Sequence, residues 1–271
     1  MPDAVERAIS IMWDRYHEPL SLDAMADSAF LSRFYFSRLF RSKTGTSPGR
    51  FLTAIRLYKA KHLLLETNMS VTDIAYAVGY NSLGTFISRF TRSVRISPAR
   101  YRWLAEHGIP QLSQPRSTSS RRSATISGKV VLPPIDVPVK VYVGAFDSPI
   151  VQGMPVACDI LESSGDYLLT DVPEGEWYLR AAAIALEYTP TPPSTRRPLA
   201  VGGHEPLSIT TDTELAVNLE LHATGVFDLP ILIALPELDG GVPGGAPSRR
   251  SRGRDERRAS GQTRAIGAIR S

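Results

Sequence analysis

Near its start the chain copies itself. Phe40 is followed seven residues later by Ser47-Pro48, and Phe90 seven residues later by Ser97-Pro98, an offset of 50. Further back, Ser21 and Ala26 align with Ser70 and Ala75 at an offset of 49, so one residue has been inserted in the second copy between the two helices of the unit. A repeat of this length is one supersecondary unit used twice, and both copies must fold alike.

Each copy reads as helix, turn, helix. Apolar residues recur at spacings of three and four up to about Gly108, with few glycines or prolines inside the segments. In the second copy Ser70 can cap a helix with Asp73 at its third position, a capping-box arrangement. Gly79 then supplies a tight turn, Asn81 can cap the next helix, and Phe86 and Phe90 sit four apart to pack inward. In the first copy Ser21 caps, Phe30-Leu31 turns, Ser32 caps, and Phe36 and Phe40 repeat the inward pair. Ser47-Pro48 and Ser97-Pro98 are each a cap plus a first-turn proline, which starts a third helix. The helix from Pro48 to about Glu66 places Phe51, Ile55, Tyr58, His62 and Leu65 on one face and would couple the two units rigidly. Gly45 can end its helix in a left-handed conformation, but Arg95 stands in its place in the second copy. Either the turn differs there or Arg95 accepts a cost of about 1–2 kcal/mol.

These residues resemble the DNA-binding domain of the AraC/XylS family of bacterial transcription regulators. The resemblance runs from Val5 to Arg102 and is densest between Ser70 and Tyr101. It implies activation or repression by two recognition helices set in successive major-groove turns, where base edges give specificity and phosphates set register. Carried over by position, the first recognition helix is Arg33 to Arg41, with Arg33, Phe34, Ser37 and Arg38 facing the groove. Arg38 can take a guanine in bidentate fashion. The second is Ser82 to Arg92, whose groove positions fall on Leu83, Gly84, Thr85, Ile87 and Ser88. Those offer few polar groups, which suggests methyl contacts, with Thr85 or Ser88 hydrogen-bonding and Arg89 reaching the backbone. Arg41, Lys43 and Arg92, with the amides at the Ser32 and Ser70 helix starts, are candidate phosphate contacts.

Charge is uneven along the chain. Residues 1–108 hold 15 Lys and Arg against nine Asp and Glu, residues 109–248 hold eight against 16, and residues 249–271 hold eight against two. A basic head and tail suit a polyanion, while the acidic middle does something else. Pro110 to Arg122 is polar, Ser-rich and without period, and reads as a linker that few contacts cross. Beyond it the period is two, most clearly over Val137–Val143 and Leu215–Leu221. Further strands are expected near Ala124–Leu132, Met154–Ile160, Asp166–Asp171, Glu176–Leu186 and Pro206–Thr210. About seven short strands in some hundred residues point to an antiparallel sandwich.

An enzyme needs a constellation, and none is found. The five histidines show no metal-ligand spacing, and no Gly-rich phosphate loop or nucleophile elbow occurs. Cys158 has no cationic neighbour in sequence and is expected to be a buried structural thiol. Asp166, Asp171, Glu174 and Glu176 read as a solvated acidic loop. The segments TISGKVVL and GDYLLTDVPEGEWYLRAAAI are similar to carboxypeptidase regulatory-like β-sandwich modules. Two roles stand open for such a module: effector sensing through a concave pocket lined by Tyr142, Trp177 and Tyr178, or protein interaction and autoinhibitory docking without a small-molecule ligand.

The expectation is thus a multidomain α plus β chain. An all-α double helix-turn-helix domain (1–108) precedes a linker (109–123), an antiparallel β-sandwich (124–238) and a disordered Arg-rich tail (239–271). It would be a sequence-specific transcription regulator with double-stranded DNA as partner, RNA polymerase and an unidentified small-molecule effector as further candidates, and no cofactor, metal or catalytic residue. Neither a signal peptide nor an apolar run of about 20 residues is found, so a cytoplasmic protein without a membrane partner is expected.

Overall fold

Serine caps and buried phenylalanines organise the helical part of the computed structural model, which describes residues 3–107, 124–186, 198–210 and 213–233. Seven helices follow in order: α1 (Ala4–Asp14), α2 (Leu22–Ser28), α3 (Arg33–Thr44), α4 (Pro48–Glu66), α5 (Val71–Ala77), α6 (Leu83–Val94) and α7 (Pro98–His107). Ser21 Oγ accepts from the Ala24 amide at 3.0 Å, and Ser70 Oγ from the Asp73 amide at 3.0 Å. The Asp73 carboxylate takes the Ser70 hydroxyl (2.7 Å). A full capping box forms instead at α1, between Asp3 and Glu6. Two caps differ from expectation. Ser82, not Asn81, caps α6, and Ser32 occupies its cap position without a side-chain bond. The two inter-helix turns match, because Phe30 and Gly79 both take positive φ, +58° and +84°.

Between the two units lies α4, and it is buried on two sides. Phe51, Leu52 and Ile55 join one core with Ile9, Met12, Phe36 and Phe40. Ala54, Leu57, Ala60 and Leu64 join a second with Ile74, Val78, Phe86, Phe90 and Tyr101. The single apolar face read from sequence is therefore corrected: Tyr58, His62 and Leu65 are half-buried at the margin, since a helix shared by two units needs two apolar sides. Two arginines tie each third helix to the loop that opens its unit. Arg56 of α4 donates to the carbonyls of Tyr16 and Glu18 (2.7 Å each), and Arg102 of α7 to those of Leu64 (3.0 Å) and Met69 (2.8 Å).

The β part has ten strands: β1 (Ala124–Val131), β2 (Val139–Phe146), β3 (Ala157–Leu161), β4 (Gly165–Val172), β5 (Gly175–Ala185), β6 (Pro198–Gly203), β7 (Leu207–Ile209), β8 (Glu214–Ala216), β9 (Leu219–Glu220) and β10 (His222–Ala223). One sheet joins β4 antiparallel to β1, with β8 and β9 parallel along the other edge of β1. The second runs β10-β6-β5-β2-β3, all antiparallel, with β7 beside β5. Ile126, Val130 and Leu169 of the first share a core with Val141, Val143, Leu179 and Ala183 of the second. The parallel edge departs from an all-antiparallel arrangement, and β6 was not legible.

The alternating run 215–221 is broken rather than continuous. Tyr167 donates its hydroxyl to Val217 O (2.7 Å), with burial pushing its pKa up to about 12, and Asn218 Oδ1 accepts from the Lys129 amide (2.9 Å). The chain then crosses to the other sheet at β10. Cys158 is also corrected: it lies exposed on β3, where the alternation turns it outward. Partial desolvation by its neighbours, and the Asp159 carboxylate, raise its thiol pKa.

Contacts do cross between the two parts, through loops of the β part. The parts lie within one compact unit. Ile150 and Leu232 enter the second helical core, while Phe227 and Leu229 pack on the first. Lys61 of α4 is 1% exposed and donates to Ile231 O (3.2 Å) and Ile233 O (3.0 Å). The expected linker (109–123) and tail (239–271) lie outside the described residues. Among the described residues no helix is long and apolar enough to cross a membrane.

Gly79 carries a direct test of the second turn. A Cβ there would stand 2.8 Å from His17 O and 2.9 Å from Tyr16 O, in a conformation that side chains avoid. Gly79→Ala should lower the stability of the full chain by about 2–4 kcal/mol in thermal melts; an unchanged melting temperature would show that the 16–17 loop yields freely.

Candidate nucleic-acid interface

In α3 the inward stripe is Phe36 and Phe40, edge to face at 5.5 Å, which turns the intervening residues outward. Arg33, Phe34 and Arg38 are exposed, and Ser37 is half-buried. Phe34 is 76% exposed, a position that gains almost nothing from burial inside this chain. Its ring lies 4.8 Å beneath the Arg33 guanidinium, and the Tyr35 ring lies 6.0 Å from that of Arg38. A helix face of two guanidiniums, two aromatic rings and a hydroxyl can hydrogen-bond base edges and meet thymine methyls.

The second copy repeats the frame but not the chemistry. Phe86 and Phe90 are again inward, and Gly84, Thr85, Ile87 and Ser88 are exposed, with Leu83 half-buried. Ser82 Oγ is committed to the Thr85 amide (3.4 Å) as the helix cap. Arg89 is exposed beside Tyr80, whose hydroxyl pKa is raised by burial and drawn partly back by Arg89 and Arg56. Arg92 is exposed in the last turn, where a cation suits the negative end of the helix dipole.

The structure divides the candidate phosphate contacts. Arg41 and Lys43 end α3 and line an open cleft of about 990 Å³ with the β part, together with Tyr178, Arg180, His204 and His222. Lys43 is paired with Asp3 and lies 5.8 Å from the Phe227 ring. Tyr178 lines this cleft, Tyr142 a separate small apolar pocket, and Trp177 packs on the sheet core while donating to Pro173 O. The three aromatics do not line one pocket. Among the described residues no cluster of His, Cys, Asp or Glu is arranged to hold a metal.

Three outward residues escaped the sequence reading. Tyr35 is 48% exposed beside Arg38. Arg50 and Arg100 are exposed in the first turns of α4 and α7, and their offset of 50 is the signal that could have found them. Arg95 resolves the open turn question, because it takes φ +73° against +71° for Gly45, so the turns are alike and Arg95 bears the strain.

Residues 25–103 match the family model described as a helix-turn-helix domain. The chain is 40% identical over 85 residues to the HTH-type transcriptional activator RhaS of Escherichia coli O1:K1, covering 31% of each. It is 32% identical over 98 residues to the lactose operon transcription activator of Staphylococcus xylosus, covering 36% of this chain and 35% of that one. It thus spans about a third of the length of the curated relatives it matches. Among solved structures it is similar to the DNA-binding domain of AdpA in complex with a target DNA, at 31% identity and a TM-score of 0.39, covering 41% of this chain and 100% of that one. The helical part carries an AraC-type helix-turn-helix domain.

Replacing Arg95 by glycine should relieve about 1–2 kcal/mol of left-handed strain while adding about 0.5–1 kcal/mol of unfolded-state freedom. Arg95→Gly should therefore melt about 1–4 °C higher than the parent. A lower melting temperature would mean that the Arg95 side chain contributes more than its backbone costs.

Proposed function

We propose that this chain is a sequence-specific regulator of transcription that holds double-stranded DNA at two successive major-groove segments, through α3 and α6. The observation that carries this reading is the exposure of Arg33, Phe34 and Arg38 on a helix whose other side is fixed in a core, repeated in frame by α6 across the shared helix α4. Arg38 reads a guanine, and Arg33, Phe34 and Ser37 complete the first segment. Leu83, Gly84, Thr85 and Ser88 meet the second mainly through apolar contact, with Ser82 at the helix start. Arg89 and Arg92, with Arg50 and Arg100, neutralise phosphates, and Arg41 and Lys43 do so from the cleft side. The protein acts in the cytoplasm on the bacterial nucleoid, with RNA polymerase as the partner an activator would engage, and it catalyses no reaction. Its division into reader (1–108), linker, β-sandwich (124–238) and basic tail is part of the same proposal.

A second reading concerns the β part. The cleft beside Arg41 and Lys43 favours an effector-sensing role, since a small molecule seated there would touch the recognition helix and the sheet together.

Footprinting of the full chain on a duplex selected from a random pool should show two protected segments about 34 Å apart per bound monomer. Protection of a single segment would sink the reading. On that duplex Arg38→Ala should lose about tenfold or more in affinity, with little change on random DNA. Equal loss on both would move Arg38 to the phosphate backbone.

A further inference from the structure

Two segments of the β part, 148–153 and 227–233, reach every element that sets how α3 and α6 sit relative to each other. At the end of α3, a Cβ on Gly45 would stand 3.6 Å from Pro149 Cβ. At the end of α6, the Gly153 amide donates to Ser93 O (2.7 Å) and Ser93 Oγ donates to Gln152 Oε1 (3.0 Å). One short loop thus bonds the end of α6 and lies beside the same end of α3. Behind them, Ile150 and Leu232 fill the second core, and Leu229 touches both cores. The two segments are tied together by the Leu232 amide donating to Val151 O (2.9 Å), and the loop is tied to β5 by Arg180 Nε donating to Pro149 O (3.1 Å).

Lys61 ties this attachment directly into α4. A buried ammonium without acceptors costs several kcal/mol. Lys61 is 1% exposed in the helix between the two units, and its Nζ bonds the carbonyls of Ile231 and Ile233, with the Tyr101 ring 5.9 Å away. Carbonyls supplied by the β part therefore satisfy a cation inside the reader. A docking surface that merely rested on the helices would leave no buried charge to answer.

We propose that residues 148–153 and 227–233 form a brace, with Lys61 as its positioning residue, that fixes the separation and rotation of α3 against α6 and so sets the spacing of the two DNA segments the chain accepts. The inference rests on the two-segment reading above. Two units joined by a single helix can flex about it, and one base pair of spacing changes the separation by about 3.4 Å and the rotation by about a tenth of a turn. A rigid pair gains the full chelate advantage at one spacing only. A loosened pair trades some of that advantage for tolerance of others.

The test uses the full chain and a duplex selected by the wild type from a random pool, together with that duplex lengthened or shortened by one base pair between its protected segments. The wild type should bind the respaced duplexes about tenfold or more weakly than the parent duplex. Lys61→Met keeps the stem and removes the ammonium, and it should narrow that ratio to about threefold or less while a single-segment duplex binds unchanged. Leu229→Ala, a milder loosening at a half-buried contact, should narrow it too and decides the matter if Lys61→Met does not fold. A merely structural role would weaken binding to all duplexes alike and leave the ratio intact. Folded variants that keep the wild-type ratio would overturn the brace. A wild type that protects only one segment would instead overturn the two-segment reading itself.

Discussion

Phe51, Leu52 and Ile55 leave α4 towards one core and Ala54, Leu57 and Leu64 towards another, and on this double burial the rest of the helical part depends. Helices of seven residues such as α2 and α5 are too short to persist alone. Each becomes stable by covering one side of α4 together with a recognition helix. Because the same helix serves both cores, the outer faces of α3 and α6 are joined through it, each held to its own core. Arg56 and Arg102 reinforce this by closing each unit's first loop onto its last helix.

Duplication conserved that frame while the outward chemistry diverged. The inward phenylalanines are kept in both copies, and so is the left-handed helix end even where Arg95 replaces glycine. Outward, Arg33, Phe34 and Arg38 correspond to Leu83, Gly84 and Ser88. On the proposed reading, the first helix would draw discrimination from charged, directional contacts, whereas the second would rely on shape, methyl groups and its basic flank. On that reading the chain would be directional and sit one way round on its site.

What sequence reveals here follows from how local each signal is. The caps at Ser21 and Ser70, the phenylalanine pairs and the starts of α4 and α7 rest on spacings of three to five residues, and all appear where expected. Asn81 and Ser82 are adjacent cap formers, and only the backbone decides between them. The second apolar side of α4 was obscured because burial on two opposed sides leaves no single periodic stripe to detect. Cys158 and the run 215–221 depended on which sheet face and which partner strand each residue met, information spread across the whole β part. Which α3 residues face outward was legible because the Phe36–Phe40 pair fixes the inward side; the docking of 148–153 and 227–233 was not, since neither segment has any period.

Lys61 also bears on the order in which this protein can be made. It precedes Ile231 by 170 residues, so at about 5–20 residues/s the helical part is synthesised on the order of ten to thirty seconds before the carbonyls that receive its ammonium exist. Until they emerge, water takes the place of those two carbonyls beside the ammonium.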